Sequence, residues 1–308
     1  MQRRYCIVDV FTDHVFGGNP LAVVFDAEQL STSQMQAIAA EFNYAETTFV
    51  LPPRDPAHTA RVRIFTPRSE LPFAGHPNVG TAFVLARAIA PDSGPAPEQF
   101  LFEEGAGLVP LTVLRTAGVV VGAELQAPEP LTRGAQVAPQ TAAACLSLPA
   151  ADLRSDVHAP LVVSVGLPFL VAELSTRDAL ACARPDASAH EKFLPGIGVD
   201  AIFAYAQDRS ESASEVTVLH ARMFAPLDGI PEDPATGSAT AATIALLADL
   251  GHDQDVERRW RVHQGDDMGR PSILLGRTIK RNGRLLSVSV GGQCAPVMNG
   301  TFTLDGAA

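Results

Sequence analysis

The chain has 308 residues, of which 46% are hydrophobic, and a formal net charge of −11 at pH 7. That charge would repel phosphate backbones and anionic membrane surfaces, so we expect neither nucleic-acid nor membrane binding. No apolar run approaches the roughly 18 residues of a membrane-spanning helix, and the N-terminal segment turns polar too early for a secretory signal, which predicts a cytoplasmic protein. The length predicts two domains.

The N-terminal part of the chain is predicted to form short strands around one helix. β-branched and aromatic residues bounded by Gly, Pro, Asp and Asn are typical of strands. They mark residues 5–11, 21–25, 47–51 and 60–66. Between the second and third of these, residues 31–42 begin with Ser and Thr and place their apolar residues on one face, which predicts an amphipathic helix.

Two later segments, residues 78–90 and 237–251, are apolar on almost every side. A helix of that composition belongs inside a core. Residues 91–98 are rich in proline and predict a polar loop, and residues 126–140 are the best candidate for a linker between domains. We therefore expect one half made of residues 1–126 with 296–308, and a second half made of residues 127–295.

An internal duplication supports the division into two halves. Residues 63–67 (RIFTP) recur as 222–226 (RMFAP), and residues 76–82 (HPNVGTA) recur as 233–239 (DPATGSA). A looser similarity links 18–24 with 166–172, and the order of the three motifs is the same in both copies. We infer two related halves, each with a strand leading to the start of a buried helix.

Each helix start has the features of an anion-binding site. The first turn of a helix leaves backbone N–H groups without internal partners, and the helix dipole favours a negative charge there. Thr81 or Ser238 can cap the helix or donate a hydrogen bond, and the glycines let a ligand approach the backbone. The alternative is that both are ordinary capped helices. What favours a site is the titratable residue before each proline, His76 in one copy and Asp233 in the other.

Several other kinds of site are not indicated. The four cysteines are scattered and suggest buried free thiols, and the histidines show no metal-binding pair. Neither of the two lysines, Lys192 and Lys280, is an attractive Schiff-base residue. The chain also lacks a phosphate-binding loop and a serine nucleophile motif. We therefore expect no metal and no cofactor.

Five segments together resemble the PhzF family of phenazine-biosynthesis isomerases, which shares its fold with diaminopimelate epimerase. They are VDVFTDHVFGGNPLAVVF, YAETTFVLPP, FTPRSELPFAGHPNVGTA, EDPATGSA and VHQGDDMGRPS. The similarity covers about residues 5–83 and 222–292. It implies an α+β fold of two duplicated halves, each a curved mixed or antiparallel sheet wrapped around a central helix. It also implies an active site in the cleft between the halves and a homodimer.

The resemblance also assigns residues to roles. The catalytic positions of the family fall on Glu46, His76 and Asp233. The positions that receive the carboxylate of a small acid substrate fall on Gly237 and Ser238, and further substrate-binding positions fall on Asn19, Gly75, Gln264 and Gly265. One departure is Ala45, where family members often have serine, and it bears on the choice of substrate.

Each of the three catalytic candidates has a simpler alternative. Glu46 can be a solvated residue at a strand entrance, His76 can hydrogen-bond the turn, and Asp233 can be an N-terminal cap. Against the first alternative, few charged residues surround Glu46 in the sequence, which predicts a raised pKa and suits a general base.

The residues at the two helix starts narrow the mechanism. The epimerase relatives use one cysteine at each helix start, and this chain has none there, which excludes racemisation by two thiols. A carboxylate is a weak base, so Glu46 should act on a C–H acidified by conjugation. Our hypothesis is an isomerisation in which Glu46 removes a proton and returns it on the same face. The alternatives are an epimerase or racemase with a second base, and a non-catalytic protein that binds a small acid.

Overall fold

The computed structural model describes residues 2–89, 97–209 and 216–304. The chain divides into two compact units, Met1–Leu125 with Gly291–Ala308, and Gln126–Val290. Most of the proline-rich loop predicted at 91–98 lies outside the described residues. No helix among the described residues combines the length and the apolar character that crossing a membrane requires.

Unit 1 contains two helices and a mixed sheet. Its elements are β1 (Gln2–Val10), β2 (Asn19–Val24), α1 (Thr32–Phe42), β3 (Glu46–Leu51), β4 (Ala60–Phe65), β5 (Glu70–Leu71), α2 (Gly75–Ile89), β6 (Gln99–Glu104), β7 (Gly107–Thr116) and β8 (Val119–Gln126), together with the part of the last strand, β18 (Arg284–Thr303), that follows residue 290. The four predicted strands and the predicted helix are confirmed. Ser31 and Gln34 form a capping box at the start of α1, which explains why the helix begins there.

Helix α2 is the central element of unit 1. It contacts β1, β2, β3 and β7, and most of its residues are buried, as its apolar sequence predicts. Gly80 permits the close packing, because a Cβ at this position would lie 2.6 Å from the side chain of Leu21 and 2.7 Å from that of Val10. The sheet thus surrounds the helix that begins with Gly75 and His76.

Unit 2 also has a central helix. Its elements are β9 (Thr132–Gln136), α3 (Pro139–Cys145), β10 (Leu153–Arg154), β11 (Leu161–Ser164), β12 (Pro168–Leu174), α4 (Arg177–Cys182), α5 (Ala187–Phe193), β13 (Ile202–Asp208), β14 (Val216–Ala225), β15 (Ile230–Asp233), α6 (Gly237–Leu250), β16 (Val256–Gln264), β17 (Ser272–Arg281) and the first residues of β18. Helix α6 contacts β11, β12, β16 and β17. The buried Lys280 donates to the carbonyls of Ala248, Asp249 and Gly251 and so caps the end of α6.

The strand connections confirm the duplication. In unit 1, β2 pairs parallel with β3, β3 antiparallel with β4, and β4 antiparallel with β5, which leads into α2. In unit 2, β12, β13, β14 and β15 follow the same pattern and lead into α6. The pattern continues, since β4 pairs parallel with β6 and β14 pairs parallel with β16. Both copies of R-x-F-x-P therefore lie at the end of equivalent strands. Both copies of the second motif lie where the central helix begins, although His76 is in the first turn of α2 and Asp233 is the last residue of β15.

Two expectations from the sequence are wrong. The segment 126–140 begins at the boundary between the two units, but most of it is not a linker, because Thr132–Gln136 form β9, which pairs with β11, and α3 begins at Pro139. All five residues of β9 are exposed, so the strand has no apolar alternation. All four cysteines are free as expected, but Cys182 at the end of α4 is exposed rather than buried.

Candidate active site

The structure brings Glu46 and His76 together in unit 1. Strands β2 and β3 are parallel, with Leu21 opposite Glu46, so the first residues of both strands lie at the same edge of the sheet. Asn19, which is fully buried, begins β2, and Glu46 begins β3. Helix α2 places His76 in its first turn, where its Nε2 lies 3.4 Å from Oε2 of Glu46.

Both side chains are largely removed from solvent, with 7% of His76 and 15% of Glu46 exposed. Glu46 is therefore not a solvated residue, and this alternative from the sequence is wrong. Burial lowers the pKa of His76 to about 3, so its imidazole is neutral at neutral pH. Within the described chain no hydrogen-bond partner is aligned with Nε2 of His76, although Oε2 of Glu46 lies 3.4 Å from it.

A buried hydrogen bond ties the strand of Glu46 to the helix of His76. The hydroxyls of Thr48 in β3 and Thr81 in α2 are 2.8 Å apart. Of the two roles that the sequence left open for Thr81, capping is wrong, because α2 begins at Gly75 and Thr81 lies in its second turn. The hydrogen bond therefore fixes the position of β3 relative to α2, the two elements that carry Glu46 and His76.

Glu104, at the end of β6, is a second carboxyl group near the start of α2, and it is not among the site residues expected from the sequence. Among the described residues, neither of its buried oxygens has an aligned hydrogen-bond partner. Burial raises the pKa of Glu104 to about 8, against a smaller opposing effect of the Asn78 side chain in the first turn of α2. The amide of Asn78 in turn donates to the carbonyl of Ala74. Nothing in the local sequence distinguishes this residue from a solvated glutamate.

Unit 2 holds Asp233 at the start of α6. Asp233 ends β15 and is 7% exposed, and the hydroxyl of Thr236 donates a hydrogen bond to its Oδ2. Thr236 is the N-cap residue of α6, so the alternative that Asp233 is the cap is wrong. Gly237 and Ser238 occupy the first two positions of the helix, where backbone N–H groups have no partner inside the helix. This is the geometry that binds a carboxylate.

Gln264 shapes the turn that holds Asp233. Its side chain is 1% exposed, donates to the carbonyl of Asp233 at 2.8 Å, and accepts from the backbone N–H of Thr236 at 3.0 Å. Gly265 follows with φ +81°, and a Cβ there would lie 2.7 Å from the carbonyl oxygen of Pro234. Both residues thus contact the turn between β15 and α6 directly.

The recurring R-x-F-x-P motif has the same structure in both units. Each arginine lies over the ring of the phenylalanine two residues further on, at 5.1 Å for Arg63 and 4.9 Å for Arg222. Each also forms two hydrogen bonds to a glutamate of the next strand, Arg63 to Glu70 and Arg222 to Glu232, at 2.6–2.7 Å. The repeat identified the arginines in the sequence, but their glutamate partners were missed.

Across the described ranges, no group of three or more His, Cys, Asp and Glu side chains could hold a metal ion. The arrangement instead offers two buried helix starts, each next to a titratable side chain that is positioned by hydrogen bonds. Acid–base chemistry on a small anion is the chemistry that such residues can perform.

The chain is similar to known proteins over nearly its whole length. The sequence profile of the family described as phenazine biosynthesis-like protein matches residues 8–300. An uncharacterized isomerase of Mesorhizobium japonicum is 38% identical over 302 residues, which cover 97% of this chain and 98% of that protein. The trans-2,3-dihydro-3-hydroxyanthranilate isomerase of Pseudomonas aeruginosa is 35% identical over 303 residues, which cover 97% and 98%.

A solved structure shows the same fold. A phenazine biosynthesis protein of the PhzF family from Bacillus anthracis superposes with a TM-score of 0.84 at 22% identity, over 99% of this chain and 100% of that one. The predicted α+β fold with two duplicated halves of the diaminopimelate epimerase type is confirmed. The chain is an isomerase and belongs to the phenazine biosynthesis-like (PhzF) family.

Proposed function

We propose that the protein is a cofactor-independent isomerase that moves a proton within a small, conjugated carboxylic acid, and that Glu46 removes and returns the proton. One observation carries this proposal. The carboxylate of Glu46 is buried with its Oε2 3.4 Å from Nε2 of a histidine that is itself buried in the first turn of α2. Such a carboxylate can meet a substrate away from bulk water.

The neutral state of His76 matters for the basicity of Glu46. A protonated imidazole at this distance would stabilise the carboxylate and make it a weaker base. Because burial lowers the pKa of His76 to about 3, the imidazole is neutral at neutral pH and places no positive charge beside the carboxylate. Even so, a carboxylate removes only a proton that is acidified by conjugation with an acceptor group, which defines the class of substrate.

The proposed step is balanced without an oxidant or reductant. Glu46 takes a proton from one carbon of the substrate, and the electron pair of the C–H bond moves into the conjugated system. Glu46, now a carboxylic acid, gives the proton to another carbon on the same face, and the double bond is shifted. His76 positions the reacting group through Nε2. The same atoms are present before and after, so the reaction needs no cofactor.

Residues of unit 2 are assigned to substrate binding. The backbone N–H groups of Gly237 and Ser238 at the start of α6 bind the carboxylate of the substrate. Asp233, held by Thr236, positions or protonates the substrate. Gln264 and Gly265 support this by fixing the turn. In unit 1, Asn19 and Gly75 are assigned further contacts with the substrate.

The name of the Pseudomonas aeruginosa relative indicates the first compound to test, trans-2,3-dihydro-3-hydroxyanthranilate, a small cyclic carboxylic acid. Purified protein is incubated in deuterated water with this acid and with a panel of other unsaturated cyclic acids, and the products are identified by NMR. We expect a shifted double bond, and for Glu46→Gln we expect binding by calorimetry without turnover.

The same experiment separates the alternatives. Inversion at one carbon without a double-bond shift would indicate an epimerase with two bases. Binding without any conversion by the unaltered protein would indicate a small-acid-binding protein. Either outcome, or full activity of Glu46→Gln, contradicts the proposal.

A further inference from the structure

Arg222 forms a buried network beside the start of α6. Its side chain is 4% exposed, and its Nε and Nη2 each donate to one carboxylate oxygen of Glu232 at 2.7 Å. Its Nη1 donates to the carbonyls of Leu180, Ala181 and Ala183 at the end of α4. Paired hydrogen bonds between a guanidinium and a carboxylate are both strong and directional, so the position of Glu232 is closely defined.

Glu232 directly precedes Asp233 in β15. The Glu232 side chain is held by Arg222 and the Asp233 side chain by Thr236, so two neighbouring side chains of one short strand each have their own hydrogen-bond partner. Strand β15 has four residues, and its pairing with β14 contains a register shift between Met223 and Ala225. Asp233 itself pairs with Met223, but Pro231 and Glu232 lie in the irregular part of the ladder, so the Arg222–Glu232 pair holds a residue that the backbone pairing does not.

The equivalent pair in unit 1 has different surroundings. Arg63 and Glu70 form the same paired hydrogen bonds, but their side chains are 23% and 40% exposed, against 4% and 15% for Arg222 and Glu232. Glu70 also lies in β5, separated from α2 by residues 72–74, whereas Glu232 is adjacent to Asp233. The Arg63–Glu70 pair is thus a matched control: it has the same hydrogen bonds, but it is more exposed and is not adjacent to a candidate site residue.

We propose that Arg222 and Glu232 are positioning residues for Asp233: the ion pair fixes the backbone at the end of β15 and thereby sets the direction of the Asp233 carboxylate. This inference rests on the proposed function of Asp233. A small misplacement of a reacting group, about 1 Å, can lower a rate about 100-fold without unfolding the protein.

The test compares Glu232→Gln, Arg222→Lys and the control Glu70→Gln, with the substrate identified in the preceding experiment. Glutamine keeps the shape of Glu232 without its charge, and lysine keeps the charge of Arg222 without its two parallel donors. We expect kcat to fall about 10-fold or more for Glu232→Gln and Arg222→Lys, with KM within about threefold. Glu70→Gln should stay within about twofold in both constants.

Stability measurements distinguish positioning from a structural role. If Glu232→Gln lowers the melting temperature but keeps the kcat of the unaltered protein while folded, the inference is wrong. If Glu232→Gln does not fold, the melting temperature and kcat of Arg222→Lys test the inference by the same criterion. Asp233→Asn tests whether Asp233 takes part in the reaction at all. Full activity of this variant contradicts the proposed role of Asp233. If Asp233→Asn is inactive but Arg222→Lys has normal activity, only the positioning role of Arg222 and Glu232 is contradicted.

Discussion

Nε2 of His76 lies 3.4 Å from Oε2 of Glu46, and burial keeps the imidazole neutral with a pKa of about 3. The folded protein therefore excludes a proton that the unfolded chain accepts near its ordinary pKa of about 6.5. Between pH 6.5 and 3 the unfolded state binds more protons, so the stability contributed by His76 is complete above pH 6.5 and is lost as the pH falls.

We predict that His76→Gln flattens this dependence. Between pH 7 and pH 5, the unaltered protein should lose on the order of 1–2 kcal/mol more of its unfolding free energy than the variant does. Urea denaturation at several pH values measures the difference. If the unfolding free energy of the two proteins changes equally with pH, His76 is protonated normally in the folded state. His158 and His190 also have lowered pKa values, and their contribution cancels because it is present in both proteins.

Glu104 should give the opposite dependence. Because burial raises the pKa of Glu104 to about 8, the folded state holds a proton that the unfolded state releases above about pH 4.5, and stability falls as the pH rises from 4.5 to 8. We predict that Glu104→Gln is more stable than the unaltered protein by about 1–3 kcal/mol at pH 8 and similar to it at pH 5. Urea denaturation at both pH values measures this.

The adjacent Glu103 is the control for that experiment. Its carboxylate accepts hydrogen bonds from the backbone of Arg54 and Asp55 and contacts His58, and these interactions lower the pKa of Glu103 to about 2. The stability it contributes is lost only as the pH falls below about 4.5. Glu103→Gln should therefore lower stability about equally at pH 5 and pH 8. If Glu104→Gln also lowered stability equally at pH 5 and pH 8, Glu104 would not be buried and protonated in the folded protein.

The bond between Thr48 and Thr81 should be seen in a double-mutant cycle. Each hydroxyl is buried, so Thr48→Val or Thr81→Val alone leaves one hydroxyl without this partner and should cost about 1–2 kcal/mol. The double variant removes both hydroxyls and should cost less than the sum of the single changes. Guanidinium denaturation of the four proteins measures the coupling. Strict additivity would mean that the two hydroxyls do not interact.

Alanine substitutions at Gly265 and Gly269 distinguish the cost of a steric clash from the cost of backbone strain. Both have positive φ, +81° and +78°, but a Cβ at Gly265 would lie 2.2 Å from the carbonyl oxygen of Arg270, whereas a Cβ at Gly269 meets nothing within 4 Å. Gly269→Ala should cost about 1 kcal/mol from strain alone. Gly265→Ala should cost at least about 3 kcal/mol and lower activity, because the turn before α6 must move. Thermal and chemical denaturation measure the two losses. If Gly265→Ala and Gly269→Ala lose the same unfolding free energy, the approach of the Gly265 Cβ to the Arg270 carbonyl is not restrictive.

Local sequence patterns were sufficient for much of the fold. The four strands of unit 1 that β-branched and aromatic content indicates, and the capped helix after Ser31, follow from interactions among near neighbours in the chain, and the predicted bounds agree within a few residues. Strand β9 was missed because all five of its residues are exposed and no apolar alternation marks it. An edge strand of this kind is defined by pairing with a distant partner, here β11.

The sequence by itself determined the duplication, the two buried helices and the chemical groups at their starts, since composition, motif order and residue type are local properties. Tertiary structure alone decided the rest. It made Thr236 rather than Asp233 the cap of α6, gave Arg222 its partner Glu232, and made His76 and Glu104 neutral. The physical reason is that the burial of His76 and Glu104 depends on distant segments brought together by folding, whereas the cap at Thr236 and the Arg222–Glu232 pair depend on where β15 ends and α6 begins, which residue type alone does not fix.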